Sequence, residues 1–196
     1  MSWADDAADA GAPWRVAGFL DDDPAKHGST RVGRPVLGGA AWLEGRDGVL
    51  VVLGAGMPAD KRRIVERVAA ARVAWPVLVH PTASVSRFAE LAEGAVVGPQ
   101  AVVAALARVG PHTTLATAAT LGHETVTGAC ASVLPGANVA GRCTVGDGAV
   151  VGIGAAVVQG AAVGAGAVVG AGATVLRDVP SGVTVVGTPA RPLRAR

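Results

Sequence analysis

The sequence predicts a mainly β protein in which most of the chain winds into a parallel β-helix, and three observations lead to that prediction. An aliphatic residue recurs at every sixth position from Val79 to Val175, and only Thr127 interrupts the series. A small residue follows each member four positions later, as Ala83 and Ala89 do. The chain is 51% hydrophobic but only 3% aromatic, as expected for a core too narrow for rings. A fixed period of this kind indicates a repeat architecture, and a period of six fits neither a helix nor a simple strand.

Two inward positions in every six residues describe a short strand followed by a turn. Three such sides close a triangular coil, and successive coils hydrogen-bond about 4.8 Å apart, as neighbouring strands do. Glycine crowds the turns, where a positive φ angle favours a residue without a Cβ atom. The turn glycines are Gly94, Gly98, Gly110, Gly122, Gly128, Gly136, Gly146, Gly148, Gly152, Gly154, Gly164, Gly166, Gly170 and Gly172. A low-complexity tract is the alternative, but such a tract does not hold one phase over this length.

The first third of the chain lacks the repeat and predicts a small α/β domain. Residues 1–13 are rich in Ala and Asp and are expected to be disordered. Short apolar strands are predicted at 16–20 and 49–53, and the second leads into the turn Gly54-Ala55-Gly56 and a helix. This order suits phosphate binding at a helix N-terminus, but it is also that of an ordinary tight turn, so both interpretations stand.

We therefore expect three parts: a small N-terminal α/β domain over 1–78, the β-helix over 79–180 and a closing segment over 181–196. The N-terminal domain is expected to cover one end of the β-helix and the closing segment the other. Both ends need covering because the terminal coils expose unpaired strand edges.

The composition argues against several classes of function. The most apolar region, 91–109, contains Glu93 and Arg108, so no membrane span is predicted, and the acidic N-terminus does not resemble a signal peptide. Cys130 and Cys143 are too few for a disulfide framework. The net charge of +2, with no basic stripe that carries aromatic residues, does not favour nucleic acid as a partner. We expect a cytoplasmic protein that binds neither membranes nor nucleic acid.

Several segments give the chain a resemblance to a known family: GFLDDDPAKHG, GRPVLGG, VHPTASV and the region from LGHETVTG to VVGTPARP. Together they look like the sugar acetyltransferases of the sialic acid O-acetyltransferase and bacillosamine-pathway N-acetyltransferase type, within the hexapeptide-repeat acyltransferases. The similarity extends from Val16 onward. It implies a left-handed β-helix, acetyl-CoA as co-substrate with no metal ion, and a sugar or nucleotide-sugar acceptor acetylated on an amino or a hydroxyl group. It also implies a homotrimer with the coenzyme A groove between subunits.

The resemblance assigns roles to individual residues. His123, in the Gly-His-Glu motif, would be the general base, and Glu124 would increase its basicity. The residues that would line the coenzyme A groove are Ser132, Gly141, Ile153 and Ala171, and those that would bind the acceptor are Asp21, Asp22 and Gly54.

The chain departs from the family pattern at two places. No Gly-x-Gly-Gly-His loop precedes Trp14, and Ser132 stands where relatives often carry a second histidine. The remaining acidic loop would repel a diphosphate, whereas Lys61 and Arg62 beside the glycine turn would attract one. The resemblance thus implies that the N-terminal α/β domain binds the acceptor but is truncated, either in the protein itself or because the gene start is set too late. Weak nucleotide-sugar binding is therefore expected of this chain.

The chemistry also follows from the residues themselves. A nucleophile that attacks a thioester must lose a proton, and histidine suits this role because imidazole exchanges protons near neutral pH. His123 lies at the third position of its hexad, where side chains point out of the prism, and Glu124 is placed to orient the imidazole. Gly141 lies one coil later, and its missing side chain is expected to leave a groove for the pantetheine arm.

Two other interpretations remain. A carbonic anhydrase-like zinc protein would need converging histidines, but His80, His112 and His123 hold different hexad positions and are not separated by whole coils. They would converge only across a subunit interface. The other interpretation is a non-catalytic β-helix scaffold, which the His123–Glu124 pair beside a glycine disfavours.

Overall fold

The computed structural model describes residues 3–193 and shows a left-handed parallel β-helix joined to a small α/β domain, as predicted. The helices are α1 (Trp3–Asp9) and α2 (Pro58–Arg67), and short 3₁₀ turns occupy Pro24–Lys26 and Ala40–Leu43. The strands before the coils are β1 (Phe19–Leu20), β2 (Thr30–Arg31), β3 (Arg34–Gly38), β4 (Val49–Leu50) and β5 (Val73–Ala74).

The coil strands recur at six-residue intervals, two residues each: β6 (Leu78–Val79), β7 (Ser84–Val85), β8 (Glu90–Leu91), β9 (Val96–Val97), β10 (Val102–Val103), β11 (Arg108–Val109), β12 (Thr114–Leu115), β13 (Thr120–Leu121), β14 (Val126–Thr127), β15 (Ser132–Val133), β16 (Asn138–Val139), β17 (Thr144–Val145), β18 (Val150–Val151), β19 (Ala156–Val157), β20 (Ala162–Val163), β21 (Val168–Val169) and β22 (Thr174–Val175). Two longer connections end in β23 (Thr184–Val186) and β24 (Arg191–Pro192).

The coil strands stack into three sheets that form the faces of a triangular prism. The first face begins with β6 and β9, the second with β7 and β10, and the third with β8 and β11. Val102 pairs in parallel with Thr120, 18 residues later, and Thr120 pairs with Asn138 after another 18. One coil therefore contains 18 residues. We call the edge between the first and second faces the first corner, the edge between the second and third faces the second corner, and the remaining edge the third corner.

The repeat series forms the core of the prism. Val97, Val133 and Ala131 have no solvent-exposed surface, and the other members of both series are similarly enclosed along most of the prism. Thr127, the one break in the aliphatic series, also points inward, and its hydroxyl accepts a hydrogen bond from the backbone N–H of Gly110 at 2.9 Å. The break therefore leaves no unsatisfied polar group in the core.

The corner glycines are of two kinds, which the sequence analysis did not separate. Gly154 belongs to a series of corner residues with positive φ, where glycine has no steric cost. Gly122 has no such φ angle, but a Cβ atom there would lie 2.5 Å from the backbone carbon of Ala140 in the next coil. Glycine at the second kind of position is required by the close approach of neighbouring coils.

The predicted disorder of residues 1–13 is wrong for the described part of that segment. The helix α1 forms there, with Ala7 buried, and the Trp14 indole donates a hydrogen bond to the Ala4 carbonyl at 3.0 Å. Asp5 pairs with Arg34 at 2.8 Å and Asp6 with His80 at 3.2 Å. The acidic residues that suggested a solvated segment thus have partners elsewhere in the chain. Residues 1 and 2 lie outside the described residues.

The N-terminal domain covers a side of the prism, and its helix α1 also lies against β6 of the first coil. Outward-facing residues of the first face are buried: Leu78 is 0% exposed, Val96 1% and Ser132 1%. Corresponding residues of the other two faces, such as Val102 and Val126, are exposed. The domain itself contains a sheet in the order β1-β3-β2 and a separate parallel pair, β4-β5. It therefore lies against the first face and leaves the other two open.

The C-terminal segment continues the first face. Strand β23 pairs in parallel with β21, and β24 pairs antiparallel with β23. Residues 194–196 of the predicted closing segment lie outside the described residues. No helix within residues 3–193 has the length and apolar character needed to cross a membrane.

Candidate active site

A tight turn at the second corner carries His123 and Glu124. The Thr125 N–H donates to the Gly122 carbonyl at 3.3 Å, and Glu124 adopts a left-handed conformation with a φ angle of 58°. The coils on either side hold the turn: the Glu124 N–H donates to the Ala105 carbonyl at 3.0 Å, and the His123 carbonyl accepts from the Arg142 N–H at 2.7 Å. The backbone beneath both side chains is therefore fixed.

The two side chains form a hydrogen-bonded pair that is open to solvent. Nδ1 of His123 lies 3.0 Å from Oε1 of Glu124, and each side chain is about half exposed, at 47% and 49%. A carboxylate only accepts hydrogen bonds, so Nδ1 carries the proton and Nε2 of the neutral ring is left as the acceptor. The pair therefore presents a basic nitrogen at the surface of the second corner.

Gly141 lies one coil beyond His123, directly under the imidazole ring. A Cβ atom at this position would lie 2.6 Å from Cδ2 of His123, so a side chain there would overlap the ring. The space that glycine leaves is filled by His123 itself, which corrects the expectation that it forms an open groove for pantetheine. The Gly141 N–H has no hydrogen-bond partner within residues 3–193. An unpaired backbone donor thus lies beside the basic nitrogen.

Thr125 ties the two turns together from inside the prism. Its side chain is buried, and its hydroxyl donates to the Ala140 carbonyl at 2.8 Å and accepts from the Cys143 N–H at 3.1 Å. These bonds bracket Gly141 on both sides. The separation between His123 and Gly141 is therefore set by a buried side chain and not only by the strand ladder.

Ser132 is buried where the N-terminal domain meets the prism, and it does not lie on an open groove. It is 1% exposed, its hydroxyl donates to the Gly56 carbonyl at 2.8 Å, and the hydroxyl oxygen accepts from the Lys61 ammonium at 2.9 Å. Both its donor and its acceptor are occupied by residues of the same chain.

Ile153 and Ala171 lie at the first corner, on the opposite edge of the second face from His123 and Gly141. Both are exposed, Ile153 at 57%, and Ala171 follows one coil after Ile153. Within one chain the structure thus brings His123, Glu124 and Gly141 together, and Ile153 with Ala171, but it does not bring the two groups into contact.

Comparison with solved structures identifies the family. The acetyltransferase domain of PglB from Neisseria gonorrhoeae FA1090, solved in complex with acetyl coenzyme A, is 35% identical; the alignment covers 97% of this chain and 92% of that one, with a TM-score of 0.88. The chain belongs to the sugar acetyltransferases of the hexapeptide-repeat superfamily.

Two further structures agree with this assignment at different levels. PerB from Caulobacter crescentus, solved with CoA and GDP-perosamine, is 29% identical over 92% of this chain and 86% of that one, with a TM-score of 0.85. WeeI from Acinetobacter baumannii AYE is 24% identical over 97% and 92%, with a TM-score of 0.86, and supports the fold alone. No family model matches the chain, and no curated protein matches it either.

The residues predicted to bind the acceptor of this acetyltransferase lie in the N-terminal domain. Asp21 pairs with Lys26 at 2.8 Å, and this hydrogen bond lowers the pKa of the Asp21 carboxyl. Asp22 pairs with Arg67 of α2, and Gly54 is exposed in the turn after β4. Both carboxylates are paired with cations, so their repulsion of a diphosphate is weaker than the sequence suggests.

The histidines do not form a metal site within one chain. No group of three or more His, Cys, Asp and Glu side chains capable of holding a metal ion occurs within residues 3–193. His80 bonds Asp6 and Thr82, whereas His112 packs edge-on against Trp75, and burial lowers the pKa of His112. The structure therefore gives the zinc interpretation no site.

Sequence reasoning gave Lys61 the role of attracting a diphosphate, but its ammonium is buried and does not face the acceptor. Lys61 has no exposed surface, and its ammonium donates to the Ala131 carbonyl at 2.8 Å as well as to Ser132. Its position three residues before Ile64 and seven before Val68 places it on the apolar face of α2. A lysine on that face indicates a buried ammonium.

Proposed function

We propose that this acetyltransferase moves the acetyl group of acetyl-CoA to the amino group of a nucleotide-linked sugar, with His123 as the general base. The observation that carries the proposal is the His123–Glu124 pair, whose Nε2 lies beside the unpaired Gly141 N–H. Two similar proteins support the choice of substrates, since PglB was solved with acetyl coenzyme A and PerB with CoA and GDP-perosamine. A perosamine N-acetyltransferase is also among the similar structures.

The proposed reaction uses each of these groups once. The amine nitrogen attacks the thioester carbonyl carbon while Nε2 of His123 takes the amine proton. The negative charge that develops on the carbonyl oxygen is stabilised by the Gly141 N–H. The carbon–sulfur bond then breaks, and the thiolate of coenzyme A takes the proton back from the imidazolium. Glu124 holds Nδ1–H throughout and stabilises the positive charge of the ring.

The proposed donor groove lies between subunits of a homotrimer. His123 and Gly141 occupy one edge of the second face and Ile153 and Ala171 the other, so a ligand that contacts both groups is best accommodated where two prisms pack side by side. The second face supports such packing, since Val102 and Ile153 are apolar and more than a third exposed. We leave Ser132 out of the donor site because its side chain is buried within the chain.

The acceptor would bind at the turn after β4, which contains Gly54, and at the loop that carries Asp21 and Asp22. These follow β4 and β1, which are parallel to their sheet partners, and ligands of α/β domains bind at the carboxyl ends of such strands. Because acetyl-CoA and nucleotide sugars are both cytoplasmic metabolites, we place the reaction in the cytoplasm.

The test measures acetyl transfer to a panel of nucleotide-linked amino sugars. The reaction is monitored by release of the coenzyme A thiol, and the product is analysed by mass spectrometry. We expect N-acetylated product from the wild type and a loss of about a hundredfold or more in kcat for His123→Ala, the usual contribution of a general base. Calorimetry should show unchanged acetyl-CoA affinity for this variant. Product acetylated only on a hydroxyl would replace the amine assignment, and near-normal turnover by His123→Ala would refute the base.

The assembly is tested separately by sedimentation with and without coenzyme A. A trimer that Ile153→Asp converts to monomers, with loss of acetyl-CoA binding, is the expected result. A monomer that binds acetyl-CoA with full affinity would refute the groove between subunits.

A further inference from the structure

Lys61 is a buried cation with no carboxylate partner. Its side chain has no exposed surface, and none of the carboxylates in residues 3–193 lies within 4.0 Å of its ammonium. Its hydrogen-bond partners are the Ala131 carbonyl and the Ser132 hydroxyl. A buried charge with neutral partners does not add stability in comparison with an apolar side chain of similar size. The position of this ammonium therefore calls for an explanation other than stability.

The ammonium decides where the Ser132 hydroxyl points. Because Lys61 donates to the hydroxyl oxygen, the single hydroxyl hydrogen is directed to its other neighbour, the Gly56 carbonyl, at 2.8 Å. The three groups form a chain of two hydrogen bonds from α2 through β15 to the glycine turn.

The glycine turn has no comparable support elsewhere. Among the described residues, the Ser132 hydroxyl is the only hydrogen-bond partner of the backbone of residues 52–56. The turn contains Gly54 and Gly56, both exposed, and glycine backbones are the most mobile when unsupported. The position of the turn against the prism thus depends on Ser132, and Ser132 lies nine residues after His123 on the same coil.

We propose that Lys61 is a positioning residue that holds the Gly54-Ala55-Gly56 turn at a fixed place against the coil of His123, so that an acceptor bound at the turn reaches the imidazole. The inference rests on the proposed function, because it takes the turn as part of the acceptor site. It assigns Lys61 no contact with the reacting atoms.

The test compares Lys61→Met and Ser132→Ala with the wild type, and Arg63→Met is the matched control. Arg63 lies two residues after Lys61, about 200° around the axis of α2, where it is exposed and pairs with Asp60 at 2.8 Å. The first readout is the backbone mobility of residues 53–57, measured as order parameters by NMR relaxation, which needs no substrate. The second is the split between KM for the nucleotide-sugar acceptor, KM for acetyl-CoA, and kcat.

We expect lower backbone order parameters at the turn in Lys61→Met and Ser132→Ala but not in Arg63→Met. The acceptor KM should rise about three- to tenfold in the same two variants, the effect of one lost hydrogen bond, with KM for acetyl-CoA unchanged. If Lys61→Met does not fold, Ser132→Ala tests the same hydrogen bond. Unchanged order parameters in both variants, or lower order parameters with an unchanged acceptor KM, would overturn the inference.

Failure of the proposed function has a different signature. A wild type that acetylates no nucleotide sugar refutes the proposed function and with it the acceptor role of Lys61, even where the order parameters show that Lys61 holds the turn. A wild type that is active on a nucleotide sugar, with Lys61→Met kinetically identical to Arg63→Met, refutes the role of Lys61 alone.

Discussion

The imidazole of His123 lies over the α-carbon of Gly141, one coil away, in a space that any side chain at 141 would fill. Gly141 does not have a positive φ angle, so alanine fits its backbone and conflicts only with the ring. We therefore expect Gly141→Ala to displace the imidazole and lower kcat by about a hundredfold, as misplacement by about 1 Å does, while the protein stays folded. Steady-state kinetics and a melting curve check this.

Gln159→Ala is the control, because Gln159 occupies the same corner position one coil further on and has no role in the proposed site. It should leave kcat unchanged. Normal turnover by Gly141→Ala would show that the ring position seen here is not the reactive one.

Glu124 occupies a strained backbone position, with a φ angle of 58°. A left-handed conformation costs a non-glycine residue about 1–2 kcal/mol, so Glu124→Gly should stabilise the fold or leave it unchanged while it lowers kcat. Unfolding by denaturant and steady-state kinetics measure the two effects. Ala118→Gly, with a φ angle of 55° in the wild type, should show the gain in stability without the loss of turnover. A fall in stability with Glu124→Gly would mean that the carboxylate supports the turn.

Thr125 and Thr113 make the same pair of hydrogen bonds at different corners. Thr113 donates to the Gly128 carbonyl at 2.7 Å and accepts from the Ala131 N–H at 3.1 Å. Replacement of either threonine by valine leaves two buried backbone groups unsatisfied, at a cost of about 1–3 kcal/mol for each group. We expect similar losses in the free energy of unfolding, but a fall in kcat only for Thr125→Val, because its bonds bracket Gly141. Equal kcat values for Thr125→Val and Thr113→Val would contradict this prediction.

Burial lowers the pKa of Lys61 from 10.5 to about 8, and this shift predicts a pH dependence of stability. Between these values the unfolded chain binds the proton and the folded chain does not, so the free energy of unfolding rises with pH in this interval. Below pH 8 the Lys61 ammonium is charged in the folded chain, so the free-energy cost of burying that charge is fully present. The wild type should therefore gain up to about 3 kcal/mol relative to Lys61→Met as the pH rises from 7 to 10.

The thiol of Cys130 is the titrating neighbour of Lys61, and burial raises its pKa. The measurement is therefore made with Cys130→Ser in both proteins, by denaturant unfolding at each pH. If the difference in free energy of unfolding between the proteins with and without Lys61→Met stays constant from pH 7 to 10, the pKa of Lys61 is not lowered.

The β-helix was predictable because each hexad position has one environment. Val97 and Ala131 occupy hexad positions that face the core, and these positions recur every six residues. One sequence therefore shows the same inward-facing pattern many times. The outward direction of His123 followed from its phase in the same way.

The two kinds of corner glycine occupy different hexad positions, since Gly122 follows an inward aliphatic residue by one and Gly154 by three. The reason for glycine at the first position was not predicted, because the close approach between Gly122 and Ala140 depends on the pitch of the coils and not on the turn itself.

The relation between the N-terminal domain and the prism could not be predicted from the period. Ser132 lies in the repeat, but Lys61 is 71 residues earlier and outside it, so nothing in the pattern places one against the other. For this reason Ser132 was assigned to a groove by resemblance although its side chain is buried. Similarly, Asp5 and Asp6 suggested a solvated segment because their partners, Arg34 and His80, are distant in the sequence.

Because the N-terminal domain is attached along the first face, the acceptor part and the donor part of the proposed site can change separately in evolution. The domain covers outward residues of the first face from Leu78 to Val150, whereas Ile153 and Ala171 are exposed at the first corner. Because each coil adds 18 residues and a rise of about 4.8 Å, coils can be gained beyond Ala171 without moving the glycine turn relative to His123. Exchange of the domain on an unchanged prism would instead present a different sugar to the same base. The architecture thus allows diversity of acceptors to arise by domain replacement, while the acetyl donor stays the same.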